Sequence, residues 1–434
     1  MKPMAADMAA EMAAKMAPAN PAQPAREGGF AESEAWRVLL ALAAFALYWV
    51  SALILESRGG TTHFGADAHL YTLLADGYVH ERVARFHPLT TALATAWLKA
   101  LSPLTAWFST LTLLKALFAA VGALGVWAAM AAFAAVVPRR YVMPLGAIYA
   151  VSLSVWFFSS IEESKIVSAT LTAFYIAAYL RLRRSWNVRG ALLLTAILLL
   201  ACLNEIVAGF LVIIPAVDAP VRRGWRLSGN WWIGWHALTA PLALVFLEVA
   251  VNGRLIQADP DPEGASHLSM LLYYVTQNRY DLGTVLDFAA RWLFYSIAAP
   301  ALQATYGAGT DYAGDYAPDV TLASYLSSPV SAAMVVLFGT TVAACVLPRY
   351  RRAWLDAGLA GVPQALLAYA LLRAAFFFAV YPGECLIFSS STTLAHMLLI
   401  AMPFAASAFP RKGALLAAFA ALLFIVNATF IIGQ

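Results

Sequence analysis

Long apolar runs are the feature of this sequence that most restricts its fold. Several stretches of about 17 to 25 residues are almost free of charge and show no strand-like alternation. Backbone polar groups in hydrocarbon must find partners within the chain, so such stretches are expected to be helices that cross a bilayer. The composition agrees, because a chain with 62% hydrophobic and only 12% charged residues is too apolar for a soluble protein. The sequence therefore predicts an all-α, polytopic membrane protein whose main solvent is the lipid bilayer.

The apolar runs predict about 11 transmembrane helices in a single domain that covers residues 34–434. Residues 1–33 are rich in Ala, Met and Pro and lack a long apolar stretch, which predicts a disordered cytoplasmic tail. The predicted spans cover residues 37–55, 107–136, 141–159, 165–181, 190–204, 206–220, 231–251, 329–347, 359–381, 392–409 and 414–432.

Basic residues fall mainly in short loops on one side of these spans, and the positive-inside rule assigns that side to the cytoplasm. The loops contain Arg139 and Arg140; Arg181, Arg183, Arg184 and Arg189; Arg222, Arg223 and Arg226; Arg349, Arg351 and Arg352; and Arg411 with Lys412. This assignment requires residues 190–220 to form two short spans that meet at Glu205, because a single span would place Arg222 on the opposite side. The N-terminus is then cytoplasmic and the C-terminus external, in a plasma (inner) membrane. Basic loops of this kind are a topology signal, so no nucleic-acid partner is expected.

The same topology places two long segments, 56–106 and 252–328, on the external side of the membrane, and acidic residues are concentrated in them. In the first segment, Asp67 opens a stretch whose apolar residues recur at helical spacing, which predicts a helix that lies on the membrane surface. The second segment contains an apolar run, but Asp287 and Arg291 interrupt it. We therefore expect interfacial helices in the second segment instead of further complete spans.

Three sequence motifs lie at the predicted external ends of spans. They are Asp67 with His87-Pro88-Leu89, the pair Glu162-Glu163, and the turn Tyr381-Pro382-Gly383-Glu384. Together these motifs resemble those of the GT-C superfamily of polyprenyl-phosphate-sugar glycosyltransferases, particularly its protein O-mannosyltransferase-like branch. Two details differ from that branch, since the paired Asp-Glu is absent and only one Pro follows the His.

This resemblance implies an enzyme that moves a sugar from a polyprenyl-phosphate donor to an acceptor on the external face of the membrane. The acceptor is a lipid, a glycan or a protein side chain, and the sequence leaves these alternatives open. Transfer needs a base that takes the proton of the acceptor, and a carboxylate is suited to this role. We expect Asp67 to be the base, with helix capping as its alternative role. Glu163 is the alternative base, or a partner that orients the acceptor.

The resemblance also implies cationic groups that hold the phosphate of the donor. Arg85 and His87 are available at the membrane surface. Arg373 lies inside an apolar span, where a charged residue is costly and is expected to be functional. A structural ion pair is the alternative role of Arg373. The candidate substrate-binding residues are Glu162, Glu205 and Glu384.

Motifs for nucleotide or zinc binding are missing, because the sequence has no P-loop, no HExxH and no histidines paired as metal ligands. No metal site is therefore assigned, although external carboxylates also suit a divalent cation, which leaves metal dependence open. Glu205 has the alternative role of capping a helix end. A secondary transporter or flippase for a lipid or an anionic solute is the alternative function, and it would need ionisable residues near the middle of the membrane.

We predict that residues 185, 225 and 350 face the cytoplasm, because each lies in a loop of clustered arginines. Single cysteines at these positions, in a variant without the native cysteines, should react with a membrane-impermeant maleimide only after the membrane is permeabilised. A cysteine at residue 78, in the first external segment, is the control that should react in intact cells. Reaction of any of the first three in intact cells would contradict the topology.

Overall fold

The chain folds into helices, and no strand occurs among the residues that the computed structural model describes. Those residues are 30–57, 68–183, 187–223, 231–251, 272–273, 275–276, 282–294, 296–299, 358–381, 385–407 and 410–433. Six helices in this part of the chain are long and apolar enough to cross a membrane. They are Glu34–Ser57, Thr110–Val136, Ile233–Ala250, Val362–Val380, Cys385–Ala406 and Lys412–Ile432. The prediction of an all-α membrane protein is therefore confirmed, whereas the count of about 11 spans stays a prediction.

The described part of the chain contains 16 α-helices. In chain order they are α1 (Phe30–Ser57), α2 (Ala68–Thr72), α3 (Glu81–Phe86), α4 (Pro88–Ala100), α5 (Thr110–Val136), α6 (Val142–Ala150), α7 (Leu153–Ser159), α8 (Lys165–Leu182), α9 (Val188–Asn204), α10 (Ile213–Arg223), α11 (Trp231–Phe246), α12 (Leu282–Phe294), α13 (Val362–Val380), α14 (Cys385–Ser389), α15 (Thr393–Ala406) and α16 (Lys412–Gly433). Turns of 3-10 helix lie at Leu73–Asp76, Ser102–Ala106, Arg139–Tyr141, Ile206–Val212 and Ser390–Thr392. Helix α1 begins at Phe30, so residues 30–33 of the predicted tail are helical, and residues 1–29 lie outside the described part.

Helix α5 has 27 residues and is packed between α1 and α8. Two glycines let its neighbours approach its backbone closely. A Cβ atom at Gly122 would lie 1.9 Å from Oγ of Ser159, and a Cβ atom at Gly125 would lie 2.6 Å from Oγ1 of Thr170. A larger side chain at either glycine would therefore push α5 away from its neighbours.

The predicted span at 141–159 is broken into α6 and α7, which meet at an angle of 58°. The side-chain amide of Asn427 on α16 donates to the carbonyl oxygen of Val151 at 2.7 Å and to that of Ile297 at 2.9 Å. The N–H of Leu153, at the start of α7, donates to the same Ile297 carbonyl at 2.9 Å. Helix ends within hydrocarbon need such partners, because no water is present to satisfy their polar groups. These contacts therefore stabilise the break.

The hairpin interpretation of residues 190–220 is supported by contacts at both ends of α8. Asn204, at the end of α9, donates from Nδ2 to Oγ of Ser168 at 2.8 Å, near the start of α8. Asp218, in α10, binds Arg183 just beyond the other end of α8. The chain therefore reverses direction after Asn204. Both halves run beside the 18 residues of α8, which are about 27 Å long at ~1.5 Å per residue.

A buried ion pair joins the C-terminal end of α8 to α10 and to the start of α13. Nε and Nη2 of Arg183 donate to the two carboxylate oxygens of Asp218 at 2.8 and 2.7 Å. The same guanidinium donates to the carbonyl oxygens of Gly358 and Ala360 at 2.7 and 2.8 Å. The hydroxyl of Tyr179 donates to Asp218 at 2.5 Å, and we call Tyr179, Arg183 and Asp218 the Arg183 cluster. The sequence grouped Arg183 with the exposed loop arginines, but these acceptors bury it instead.

The predicted external segments also contain helices. In the first segment, the ring of Tyr71 on α2 is buried and lies 6.0 Å from that of Phe118 on α5, so this segment packs on the bundle. In the second segment, α12 has 13 residues, or about 20 Å of helix, which is too short to cross a bilayer. Residues 252–271 and 300–357, including the predicted span at 329–347, lie outside the described part. The interfacial position of these helices stays a prediction.

We predict that Asp218→Asn destabilises the fold by about 3 to 5 kcal/mol, because it leaves the Arg183 guanidinium buried without its carboxylate. The measurement is the thermal unfolding temperature of the purified protein in detergent. Glu81→Gln is the control, since the Glu81 carboxylate is exposed and should contribute little. Equal unfolding temperatures for Asp218→Asn and the wild type would show that the buried pair is not stabilising.

Candidate functional site

Polar side chains from several helices meet at the N-terminal end of α8, which is its predicted external end. We call this set the Glu205 cluster, and all its members are buried: His87, Thr90, Ser164, Lys165, Ser168, Asn204, Glu205 and Arg373. Polar groups removed from water are stable only when they find partners. The contacts within this cluster therefore decide what chemistry it can perform.

Asn204 joins three elements of the cluster. Its Nδ2 donates to the carbonyl oxygen of Ser164 at 3.2 Å and to Oγ of Ser168 at 2.8 Å. Its Oδ1 accepts from the hydroxyl of Thr90 on α4. Its carbonyl oxygen accepts from Nδ1 of His87 at 2.7 Å, so this ring nitrogen carries a proton. Asn204 thereby fixes the turn after α9 against α4 and the first turn of α8.

Glu205 follows directly and forms a buried ion pair with Arg373 of α13. Nη2 of Arg373 lies 2.7 Å from Oε1 of Glu205. Nη1 of the same guanidinium has no hydrogen-bond partner within the described residues. The structure thus brings together two residues that the sequence singled out separately.

Lys165 adds a second cation to the cluster. Its Nζ lies 4.7 Å from the centre of the Phe388 ring, and the Arg373 guanidinium lies 5.0 Å from the centre of the Phe377 ring. The two rings are stacked with their centres 4.0 Å apart, so aromatic faces hold both cations. Burial acts to raise the pKa of the Glu205 carboxyl, but Arg373 and then Lys165 outweigh burial and lower this pKa. Glu205 is therefore an ionised carboxylate beside two cations.

Glu162 belongs to a second buried ion pair near this end of α8. Nζ of Lys115 on α5 lies 2.9 Å from Oε1 of Glu162 and 3.9 Å from Oε2 of Glu56, at the end of α1. Burial raises the pKa of the Glu162 carboxyl, although Lys115 opposes this effect. The pair ties the turn before α8 to α1 and α5, which gives this predicted substrate-binding residue a structural contact.

Glu163 lies in the same turn and is also buried. Its Oε1 accepts from the N–H of Ser164 at 2.8 Å and from Oγ of Ser164 at 2.9 Å. A carboxylate at this position interacts favourably with the N-terminal end of α8, where Lys165 begins the helix. The predicted alternative base is thus next to Ser164, a member of the Glu205 cluster.

The remaining predicted site residues are less closely connected to this cluster. Arg85 forms an ion pair with Glu81, one turn earlier on α3. Asp67, the predicted base, and Glu384, a predicted substrate-binding residue, lie outside the described part of the chain. Of the residues predicted to hold the donor phosphate, His87 and Arg373 are members of the cluster.

Sequence reasoning assigned no role to Lys115, Lys165 or Asn204. Lys115 is the only charged residue in the 27 residues of α5, so the argument that singled out Arg373 applied to it equally. Lys165 and Asn204 gave no such signal, because each lies where an apolar run meets a turn. Their importance became visible only through their contacts.

The Glu205 cluster contains two buried cations, Lys165 and Arg373, and Nη1 of Arg373 has no hydrogen-bond partner among the described residues. Groups of this kind are suited to contact an anion. In the part of the chain that the structure describes, no three His, Cys, Asp or Glu side chains are grouped closely enough to hold a metal ion. No model of a known protein family matches the chain, and no curated protein matches it significantly. The function must therefore be argued from the chemistry of the site.

We predict that Lys115→Met destabilises the protein by about 3 kcal/mol at pH 8, because it leaves Glu162 buried without a cation. Burial raises the pKa of the Glu162 carboxyl in the folded state, so the folded state is favoured at low pH, where this carboxyl is protonated, and loses that stability as the pH rises. The loss of stability in Lys115→Met should therefore become smaller towards pH 5. The double variant Lys115→Met with Glu162→Gln should recover most of the loss. Thermal unfolding of both variants across this pH range checks the prediction, and a pH-independent defect in Lys115→Met would contradict it.

Proposed function

We propose that this protein is an integral membrane glycosyltransferase of GT-C type, which moves a sugar from a polyprenyl-phosphate donor to an acceptor on the external face. The observation that carries the proposal is the pair of buried cations in the Glu205 cluster, Lys165 and Arg373, which lie beside two stacked aromatic rings. Nη1 of Arg373 has no hydrogen-bond partner among the described residues, and a buried donor without a partner is costly in a protein surrounded by lipid. The phosphate of a lipid-linked donor is an anion that would supply this partner.

The two cations are suited to holding a phosphate. Arg373 has a buried Nη1 with no partner in the described residues, and a guanidinium binds phosphate oxygens through charge-assisted hydrogen bonds. Lys165 supplies a compact charge that is held over Phe388. Because both side chains are packed against aromatic rings, little reorganisation would be needed when the donor binds.

In the proposed reaction, an acceptor oxygen attacks the anomeric carbon while a carboxylate takes the acceptor's proton. The bond from that carbon to the phosphate oxygen breaks, and its electron pair leaves with the polyprenyl phosphate. This phosphate gains negative charge as it leaves, and Lys165 and Arg373 would stabilise that charge. Asp67 is the proposed base, and Glu163 is the alternative because it lies beside the cluster.

Glu205 has a specific part in this proposal. It holds Arg373 while the site is without donor, through the contact of 2.7 Å. An incoming phosphate would compete with this carboxylate for the same guanidinium, and the two negative charges would repel each other. Removing the charge of Glu205 should therefore strengthen phosphate binding, although it leaves the buried cations less well compensated in the empty site.

The location of the cluster agrees with an external reaction in a plasma membrane. The cluster lies at the opposite end of α8 from the Arg183 cluster, and from Ser168 to Arg183 is about 22 Å at ~1.5 Å per residue. In the predicted topology, such a separation corresponds to opposite boundaries of a hydrocarbon core of about 30 Å. Lipid-linked sugars suit this face, because nucleotide sugars are not supplied outside the cell.

Transport of a lipid or an anionic solute is the second candidate function. It is favoured by the break between α6 and α7, because broken helices are a feature of secondary transporters. Asn427 binds the carbonyl oxygen of Val151 at the end of α6, and it also binds that of Ile297, which accepts from the N–H of Leu153 at the start of α7. These contacts favour a fixed structure over a moving one.

The proposal is tested by measuring phosphate binding and sugar transfer on the same purified variants. We predict that Lys165→Met weakens binding of a polyprenyl monophosphate by about 10- to 100-fold, because one charged contact is lost. Glu205→Gln should strengthen this binding. Asp67→Asn should keep binding but lower transfer from polyprenyl-phosphate sugars by about 100- to 10,000-fold.

Lys99→Met is the matched control, since Lys99 is an exposed lysine on α4. Thermal unfolding identifies any variant that fails to fold. Unchanged lipid-phosphate binding by Lys165→Met and Glu205→Gln would refute the phosphate site. Binding without transfer to any lipid, glycan or protein acceptor, together with movement of the lipid between leaflets of a vesicle, would favour the transporter.

A further inference from the structure

A second region of excess positive charge lies at the opposite, predicted cytoplasmic end of the bundle. It is formed by two segments that are far apart in the sequence, one just before α6 and one at the start of α16. We call it the basic corner, and its residues are Arg140, Tyr141, Arg411 and Lys412. None of these residues belongs to the Glu205 cluster or to the proposed reaction.

The ring of Tyr141 brings the two segments together. The guanidinium carbon of Arg140 lies 4.9 Å from the centre of this ring, and Nζ of Lys412 lies 5.8 Å from the same centre. Tyr141 is buried, whereas Arg140 is exposed. The cations of two segments therefore lie close to the ring of one buried tyrosine, which holds them in a defined arrangement.

Lys412 and Arg411 have different positions in this corner. Nζ of Lys412 donates to the carbonyl oxygens of Ala405, at 2.7 Å, and of Ser407, so it caps the C-terminal end of α15. Arg411 is exposed and has a φ of 51°, the one non-glycine residue with positive φ in the described part of the chain. Left-handed backbone is unfavourable for arginine and persists where the surrounding structure requires it.

No carboxylate of the described residues forms an ion pair with Arg140, Arg411 or Lys412. The corner also lies where three apolar helices, α6, α15 and α16, begin or end. In the predicted topology this corner lies at the cytoplasmic boundary of the bilayer, where phospholipid phosphates lie, and basic pockets between transmembrane helices on that side attract anionic headgroups. The positive-inside rule accounts for the number of basic residues on this side of the membrane but not for their arrangement. Here two segments that are distant in the sequence both contact the ring of Tyr141.

We propose that the basic corner binds the headgroup of an anionic phospholipid of the same leaflet. Arg140 and Arg411 contact the phosphate, because both guanidinium groups are exposed and can bind it through paired hydrogen bonds. Lys412 contributes charge while it remains bonded to the end of α15. This site is independent of the sugar-transfer proposal, since it lies at the other end of the bundle and uses other residues.

The test is a titration of the full-length protein in neutral detergent with dioleoylphosphatidylglycerol, followed by native mass spectrometry. The double variant Arg140→Gln with Arg411→Gln should bind this lipid about tenfold more weakly than the wild type. The matched control is Arg181→Gln with Arg189→Gln, which removes two exposed arginines from the same predicted face and should bind as the wild type does. Dioleoylphosphatidylcholine should bind weakly to all three proteins.

Three outcomes would overturn the proposal. They are an equal loss in the control variant, equal binding of the two lipids by the wild type, and displacement of the anionic lipid by millimolar inorganic phosphate. The last outcome would identify a site for free phosphate instead of a lipid. If the double variant does not fold, the single variant Arg140→Gln provides the measurement, because this side chain is exposed and makes no ion pair in the described structure.

Discussion

Every charge that is buried in this bundle must be compensated within the protein, because the surrounding lipid offers nothing in place of water. Three buried cations accordingly face a carboxylate from a different helix or turn. The pairs are Arg183 with Asp218, Lys115 with Glu162, and Arg373 with Glu205. Two of these pairs lie at the N-terminal end of α8 and one lies at its C-terminal end. The requirement for compensation thereby determines which helices pack beside α8 and in which direction they run.

The Glu205 cluster departs from this balance, and the departure is what makes it a candidate site. Lys165 lies over an aromatic ring and has no ion pair with a carboxylate of the described residues, whereas Arg373 binds Glu205. A purely structural site would be expected to match each cation with its own acceptor, as the Arg183 cluster does with five donor contacts. Electrostatic attraction that is left unsatisfied in the protein is available to an anionic ligand.

The rigid framework around the site is built from hydrogen bonds of single amide side chains. The amide of Asn204 satisfies Thr90 of α4, Ser168 of α8 and the carbonyl oxygen of Ser164, and the amide of Asn427 satisfies the carbonyl oxygens of Val151 and Ile297 at the break between α6 and α7. Each amide both donates and accepts, so one residue can serve groups of opposite polarity without introducing charge. Such contacts are valuable in a bundle that has few charged residues and is surrounded by lipid.

The sequence by itself determined the helical class and the membrane as solvent, because hydropathy is a local property of the chain. The arginines of the loops predicted a hairpin for residues 190–220 but left a single span as the alternative. The sequence also determined that Arg373 and Glu205 were candidates, although it treated them separately. Only the tertiary structure decided that these two residues form a pair, since 168 positions separate them. The same holds for the burial of Arg183 and for the break at Val151, which depend on partners from distant helices. Pairing is decided by packing, because the cost of a buried charge depends on what lies next to it in space and not in the chain.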